Sequence, residues 1–403
     1  MNMKIFKFTG WKKQIGLFLL SQNVSLFGSS VVGFAIIWHI TLTTSSGTWL
    51  MLATICSLLP QVLVSLLGGV WADRYNRKHL IMLSDGFIAL ATLALTAAFL
   101  LGFDRLELLL AVSAVRSVGA GIQTPAVGAI YPQLVPQEHL TKAQGINQTL
   151  NSVLMLLAPA VGGLILGWVG IVAALFVDVV TAAIAVFVMS RIQVEKITVQ
   201  KETDSVWVDL KDGLKYTFRH PQLRRILICF LFSFFLITPA AVLSPLMVER
   251  TFGSEVWRLT ANEMVWTVGS FFGGLFVSLK GQFKDKVRTV AFCLVVFGVM
   301  FALLGAAWNF VSFLVFMGIA GFFLPPLATA QTVHIQEITE PEVLGRVFSI
   351  VQLISASAMP VAIVLFGPLA DVVSVESILL VSGALLALVG ILYGRGNKEG
   401  MRK

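Results

Sequence analysis

Apolar runs long enough to cross a bilayer recur along the whole chain. Each must become a helix, because hydrocarbon offers backbone N–H and C=O groups no partner outside their own segment. Bounded by charges or turn residues, the runs fall near 14–40, 48–71, 79–101, 106–131, 142–167, 170–190, 223–247, 260–280, 287–307, 309–333, 345–370 and 374–394. Twelve such spans with short connections account for nearly all 403 residues, so an all-α polytopic membrane protein is expected and no sizeable soluble domain fits. Composition agrees, since only 12% of residues are charged, about half the usual fraction for soluble domains.

The basic N-terminus, with Lys4, Lys7, Lys12 and Lys13, precedes an apolar run that continues to about Ile40 without a small-residue cleavage site. It therefore reads as the first span and not as a signal peptide. With the N-terminus placed in the cytoplasm, the outer loops hold only Arg105, Arg250 and Arg258, and every other Lys and Arg except Arg116, within span four, clusters inside. The positive-inside rule then puts both termini in the cytoplasm. The net charge of +8 is accounted for by the same asymmetry. It implies contact with anionic lipid and not with nucleic acid. Cys56, Cys229 and Cys293 all lie in apolar runs and read as small buried hydrophobes, so neither a disulfide framework nor a metal or cofactor is expected.

The longest polar stretch, 191–222, carries Trp207, Leu210, Leu214 and Phe218 at helical spacing opposite Lys211, Lys215 and Arg219. That pattern predicts an amphipathic helix lying at the membrane surface. It separates an N-terminal bundle of six spans, 1–190, from a C-terminal bundle, 223–403. The halves echo one another. Glu138-His139-Leu140-Thr141-Lys142 before span five matches Glu342-Val343-Leu344-Gly345-Arg346 before span eleven. Upstream of each stands a cluster of small residues and proline, Gly119 and Gly121 with Pro125 in one half, Gly318 and Gly321 with Pro325 and Pro326 in the other. Duplicated six-helix bundles produce this kind of repeat.

Between spans two and three lies Gly69-Val-Trp-Ala-Asp73-Arg74-Tyr-Asn-Arg77-Lys78. This loop resembles the signature of the major facilitator superfamily of secondary transporters. Arg116-Ser-Val-Gly119-Ala-Gly121 in span four resembles an element carried by proton-coupled members. Gly145, followed by Ala158-Pro159-Ala-Val-Gly162-Gly163 in span five, resembles the antiporter motif of exporters, with alanine at its first glycine. The turn Leu134-Val135-Pro136-Gln137-Glu138 and the sequence Leu344-Gly345-Arg346-Val347-Phe348-Ser349 look like the macrolide-efflux branch, a pattern that siderophore exporters largely share.

The resemblance implies two pseudo-symmetric six-helix bundles working by alternating access. In that family Asp73 would cap or pair with the cytoplasmic end of span eleven, and Arg74, Arg77 and Lys78 would pair with acids such as Glu138 or with lipid phosphate. In the equivalent loop of the second half, Ser278 stands where the aspartate would be, beside Lys280, Lys284, Lys286 and Arg288. Arg116 would influence the protonation of a nearby acid, and the small residues of span five would let it bend and pack closely. The implied activity is export of a macrolide or another hydrophobic compound from the bacterial cytoplasm or inner leaflet, driven by the proton-motive force. The implied partners are a small hydrophobic molecule, protons and the bilayer of the cytoplasmic membrane, with the protein acting as a monomer.

Ionisable residues inside spans are functional candidates by default. Asp178, deepest in span six, ranks first as proton carrier and Asp85 in span three second; Glu263 lies nearer the outer end of span eight. In this fold spans one, four, seven and ten line the cavity, so Gln22, Asn23, Gln123, Phe230, Phe234 and Phe322 are candidate substrate contacts. Such an aromatic wall with few fixed charges suits a large amphipathic ligand. Gln144, Asn147, Gln148 and Asn151 form a polar stripe near the cytoplasmic end of span five, either an entry vestibule or interhelical glue. No Gly-x-x-x-x-Gly-Lys-Ser/Thr phosphate loop is present, which excludes an ATP-driven pump on this chain alone. The five histidines scatter to span ends and loops, so enzymatic catalysis is not expected. Export of a siderophore or other endogenous metabolite, or a non-transporting sensor with a transporter fold, are the alternatives.

Overall fold

The computed structural model describes residues 10–194, 219–339 and 344–400. The amphipathic helix expected over Trp207–Phe218 falls outside the described residues. Within them the chain forms twelve long helices. These are α1 (Trp11–Thr44), α2 (Gly47–Arg74), α3 (Arg77–Leu100), α4 (Leu106–Leu134), α5 (Leu140–Trp168) and α6 (Ile171–Ser190), followed by α7 (Pro221–Phe252), α8 (Val256–Lys280), α9 (Lys286–Gly305), α10 (Phe310–Ile338), α11 (Leu344–Val372) and α12 (Val375–Gly400). Eleven of them are long and apolar enough to cross a membrane. The exception is α8, whose first half holds Arg258, Asn262 and Glu263 and which ends on Lys280.

Local chemistry sets the helix ends. Asn76 accepts hydrogen bonds from the backbone N–H groups of Lys78 and His79 and so caps α3. Asn309 and Ser312 form a reciprocal capping box on α10. The chain turns from α5 into α6 at Gly170, whose φ of 97° is open to glycine at little cost.

The helices separate into two compact units, one comprising Met1–Ile40 and Leu52–Gln200, the other Thr41–Met51 and Lys201–Lys403. In the first, α3 packs on α4 and α6, and α5 packs on α6. Phe18, Ile81, Ile130, Tyr131 and Met189 build one core cluster; Val31, Ala35, Ala158 and Ala174 build another, where α5 meets α1 and α6.

In the second unit α9 runs against α12, α8 against α10, and α7 against α11 and α12. Apolar side chains gain nothing by leaving lipid for protein, so helices associate where small residues let backbones approach and van der Waals contact accumulate. Gly298 and Gly383 do this between α9 and α12: a Cβ on either would run into the opposing backbone. Gly269 and Gly273 do it for α8, meeting the carbonyls of Gly318 and Phe322 on α10. The segment Thr41–Met51, which links α1 to α2, is held in this unit by Asp371 near the end of α11 and by Arg250 near the end of α7.

Candidate functional site

A cavity of about 500 Å³ opens within the first unit. Its size lies in the range of small-molecule sites. Helical periodicity supplies its walls. On α1, Gln22, Ser25, Ser29 and Gly33 recur every three or four residues and share one face, and on α4 Ser113, Arg116, Ala120 and Gln123 do the same. Ser57 and Gln61 come from α2, Asn147 and Asn151 from α5. The wall is rich in hydroxyl and amide groups.

Two buried carboxylates stand behind this wall, and residues that line the cavity are their hydrogen-bond donors. Asp178 on α6 is 1% exposed. Its Oδ1 accepts from Ser29 Oγ of α1 at 3.0 Å, and its Oδ2 accepts from Thr92 Oγ1 of α3 at 2.9 Å and forms an ion pair with Arg116 of α4. Four helices thus converge on one acid. The guanidinium neutralises it, which is what makes so deep a charge affordable.

Asp85 on α3 is placed differently. Its Oδ1 accepts from Ser25 Oγ at 2.5 Å and from Gln123 Nε2 at 2.7 Å, while Oδ2, also buried, has no partner among the described residues. No base within ion-pair reach is described for it. The two acids that sequence ranked as proton carriers therefore occupy opposite electrostatic situations, one paired and one unpaired. Each touches the cavity through donors, Ser29 and Arg116 for Asp178, Ser25 and Gln123 for Asp85.

The remaining residues singled out in the sequence fall into three places. Gln22, Asn23 and Gln123 line the cavity. Phe230 and Phe234 stack on one another in the second unit with ring centroids 5.8 Å apart, and Phe322 packs between Phe276 and Phe323 at 5.6 and 5.3 Å. None of these rings is among the residues that line the polar cavity of the first unit. In span five, Gly145 faces open space, Pro159 and Gly163 are buried, and a Cβ on Gly162 would meet the carbonyl oxygen of Val31 on α1 at 3.4 Å.

In the signature loop, Arg77 donates to the carbonyls of Ala72 and Ala129, both at 2.8 Å. Lys78 donates to those of Ser190 and Ile192, both at 2.7 Å. Carbonyls in the last turn of a helix, here Ala72 of α2 and Ser190 of α6, lack intrahelical partners and carry partial negative charge, so they take these cations as an acid would. Glu138, expected as an ionic partner of these bases, instead lies 3.6 Å from His139. Arg74 is exposed, Gly69 faces open space, and its neighbour Gly68 makes the close approach to Gly121 of α4. The side chain of Asp73 and the side chains of Leu344, Gly345 and Arg346 lie outside the described residues.

Sequence reasoning missed the hydroxyls. Ser29 and Thr92 hold Asp178, and Ser117 repairs α2 beside Pro60. Its Oγ accepts the backbone N–H of Gln61 at 2.9 Å and donates to the carbonyl of Ser57 at 2.7 Å, standing in the rung of the helix ladder that would join those two residues. A hydroxyl inserted in this way is a recognised cause of helix bending. The available signal was serine and threonine at helical spacing within spans that carry an acid or an arginine.

Known proteins point the same way. The chain is 29% identical over 390 residues to the macrolide efflux protein A of Streptococcus pyogenes, covering 96% of each. It is 22% identical to the multidrug efflux pump Tap of Mycolicibacterium fortuitum, across 93% of this chain and 94% of that one. Its fold matches the crystal structure of the nucleoside transporter NupG with a TM-score of 0.71, over 95% of this chain and 98% of NupG at 14% identity. The protein is therefore a multi-pass membrane transporter of small molecules and not an enzyme. Through a match over residues 13–398, the chain belongs to the major facilitator family described as transmembrane secretion effector.

Proposed function

We propose that this protein exports macrolide-like or other hydrophobic and amphipathic compounds across the bacterial cytoplasmic membrane, by alternating access and at the expense of the proton gradient. One observation carries the reading: the cavity of the first unit is lined by the very groups, Ser25, Ser29, Arg116 and Gln123, that hold Asp85 and Asp178 behind it. A ligand that recruits those donors loosens their hold on the carboxylates, and a proton arriving at a carboxylate releases the donors to the ligand. Substrate and proton then compete through shared hydrogen bonds, as antiport requires. Resemblance to the macrolide efflux protein A and to Tap supports export and the compound class. The protein acts as a monomer with both termini in the cytoplasm, consistent with the excess of Lys and Arg in the loops on that side.

Inverted membrane vesicles energised by respiration test the reading. Uptake of a labelled macrolide panel is expected to be abolished by a protonophore and lost in Asp85→Asn or Asp178→Asn. Uptake indifferent to the protonophore removes proton coupling, and no uptake of any macrolide removes the compound class.

A further inference from the structure

The second unit holds an acid that this mechanism does not use. Glu263 on α8 faces a cavity of about 110 Å³ whose other walls are Ile237, Ala240 and Ala241 of α7, Trp266 of α8, Phe301 of α9 and Met317 of α10. The carboxylate takes no hydrogen bond and no ion pair from the described residues. Beside it Asn262, 1% exposed, donates from Nδ2 to Ser244 Oγ at 3.2 Å but leaves its Oδ1 unpaired and buried. Both Asn262 and Ser244 line the same cavity. Three side chains thus bring oxygen to an otherwise apolar hole.

None of the facing groups from α7, α9 or α10 titrates. The charges elsewhere on these helices, including Arg224 and Arg225 of α7, Arg288 of α9 and His334 of α10, do not line the cavity, and most are engaged elsewhere. Glu249 accepts from Ser45, Arg250 reaches Ser45 and Asp371, Arg258 pairs with Glu255, Lys280 lies over the rings of Phe276 and Phe283, and Lys286 pairs with Glu337. An isolated carboxylate in such surroundings is strongly disfavoured unless something cancels its charge. The cavity is several times smaller than the sites that hold drug-sized ligands, so the group that cancels it is compact.

We propose that the Glu263 cavity is a binding site for one monovalent cation, a proton or sodium, with Glu263 as the charged ligand and Asn262 and Ser244 as supporting oxygens. It serves as the coupling-ion site of the second unit. This inference rests on the export reading only in its coupling role, and the site can be tested without a transport substrate. In detergent-purified protein, infrared difference spectra recorded across a pH step and across a sodium step are expected to contain a carboxyl band, responsive to one of the two ions, that Glu263→Gln lacks. A wild-type spectrum with no band that Glu263→Gln removes in either step overturns the site.

The coupling role is read in liposomes carrying labelled erythromycin under an imposed pH gradient or an imposed sodium gradient. Glu263→Gln is expected to lower uphill accumulation by about tenfold, a coupling energy of ordinary size, while gradient-free exchange of erythromycin is retained and Glu263→Asp recovers part of the loss. The infrared step that moves the Glu263 band names the ion held there, and accumulation in the sodium arm alone overturns proton coupling in the export reading. Equal accumulation by Glu263→Gln and wild type overturns the role, as does loss of exchange together with accumulation. Failure of the wild type in both arms counts against the export reading, and the infrared response then decides the site alone.

Discussion

Asp371 Oδ1 accepts the backbone N–H of Gly47 at 2.6 Å, so a carboxylate near the C-terminus of α11 caps the N-terminus of α2 across more than three hundred residues of sequence. The same side chain takes the backbone N–H and hydroxyl of Thr48 at 2.9 and 2.5 Å and the hydroxyl of Ser46 at 2.9 Å. Arg250 reinforces the junction, donating to the carbonyl of Ser45 at 2.5 Å and to that of Ala370 at 2.6 Å. The orphan N–H groups of a helix start and its positive dipole end both favour an acid there. Asp371→Ala is expected to remove about 1 kcal/mol from this junction, seen as faster hydrogen exchange at Gly47 and Thr48 than in the wild type. Unchanged exchange at those two amides would show that the cap does not hold the segment.

Breaking the buried ion pair from one side should cost more than removing it whole. Arg116→Ala leaves Asp178, 1% exposed, without its cationic partner, a loss of about 3 to 5 kcal/mol for pairs of this kind. The double variant Arg116→Ala with Asp178→Ala removes the unpaired acid and is expected to melt at a higher temperature than Arg116→Ala alone. A double variant less stable than the single one refutes the electrostatic account.

Ser117 bridges an interrupted rung of α2, so its removal leaves the N–H of Gln61 and the carbonyl of Ser57 without that partner. Ser117→Ala is expected to lower thermal stability by about 1 to 3 kcal/mol, the usual penalty for unsatisfied buried groups. Ser113→Ala in the same cavity wall, a hydroxyl with no such bridge, serves as the control. Equal melting temperatures for the two variants would remove the bridging role.

Glycines of α8 should divide sharply by position. A Cβ at Gly269 or Gly273 overlaps the backbone of α10, whereas one at Gly274 meets nothing within 4 Å. Gly269→Ala is expected to destabilise by about 1 to 3 kcal/mol through overpacking, and Gly274→Ala to be neutral or slightly stabilising because alanine is the better helix former. Equal melting temperatures for the two would mean that close α8–α10 contact is not needed for stability.

The helical scaffold was legible in the sequence, because a bilayer permits one solution for each apolar run of this length, and run length and bounding charges report that solution directly. The run read as a span over 260–280 does form a helix, α8, but α8 is the one long helix that falls short of the apolar character of the other eleven. Arg116, Asp85 and Asp178 were legible too, since a charge within an apolar run is conspicuous without any knowledge of its neighbours. Their partners were not. Arg116 meets Asp178 from 62 positions away, and Ser29, Thr92, Ser117 and Gln123 are ordinary polar residues until helix rotation and close packing turn them toward an acid or a broken rung. The assignment of Thr41–Met51 to the second unit and the cap from Asp371 were equally silent, because an aspartate near a span end reads as a surface charge. Hydropathy is a property of each residue and survives in one dimension. The pairing of polar groups depends on which helix faces meet, and that is set by glycine contacts and side-chain fit between segments far apart in the chain.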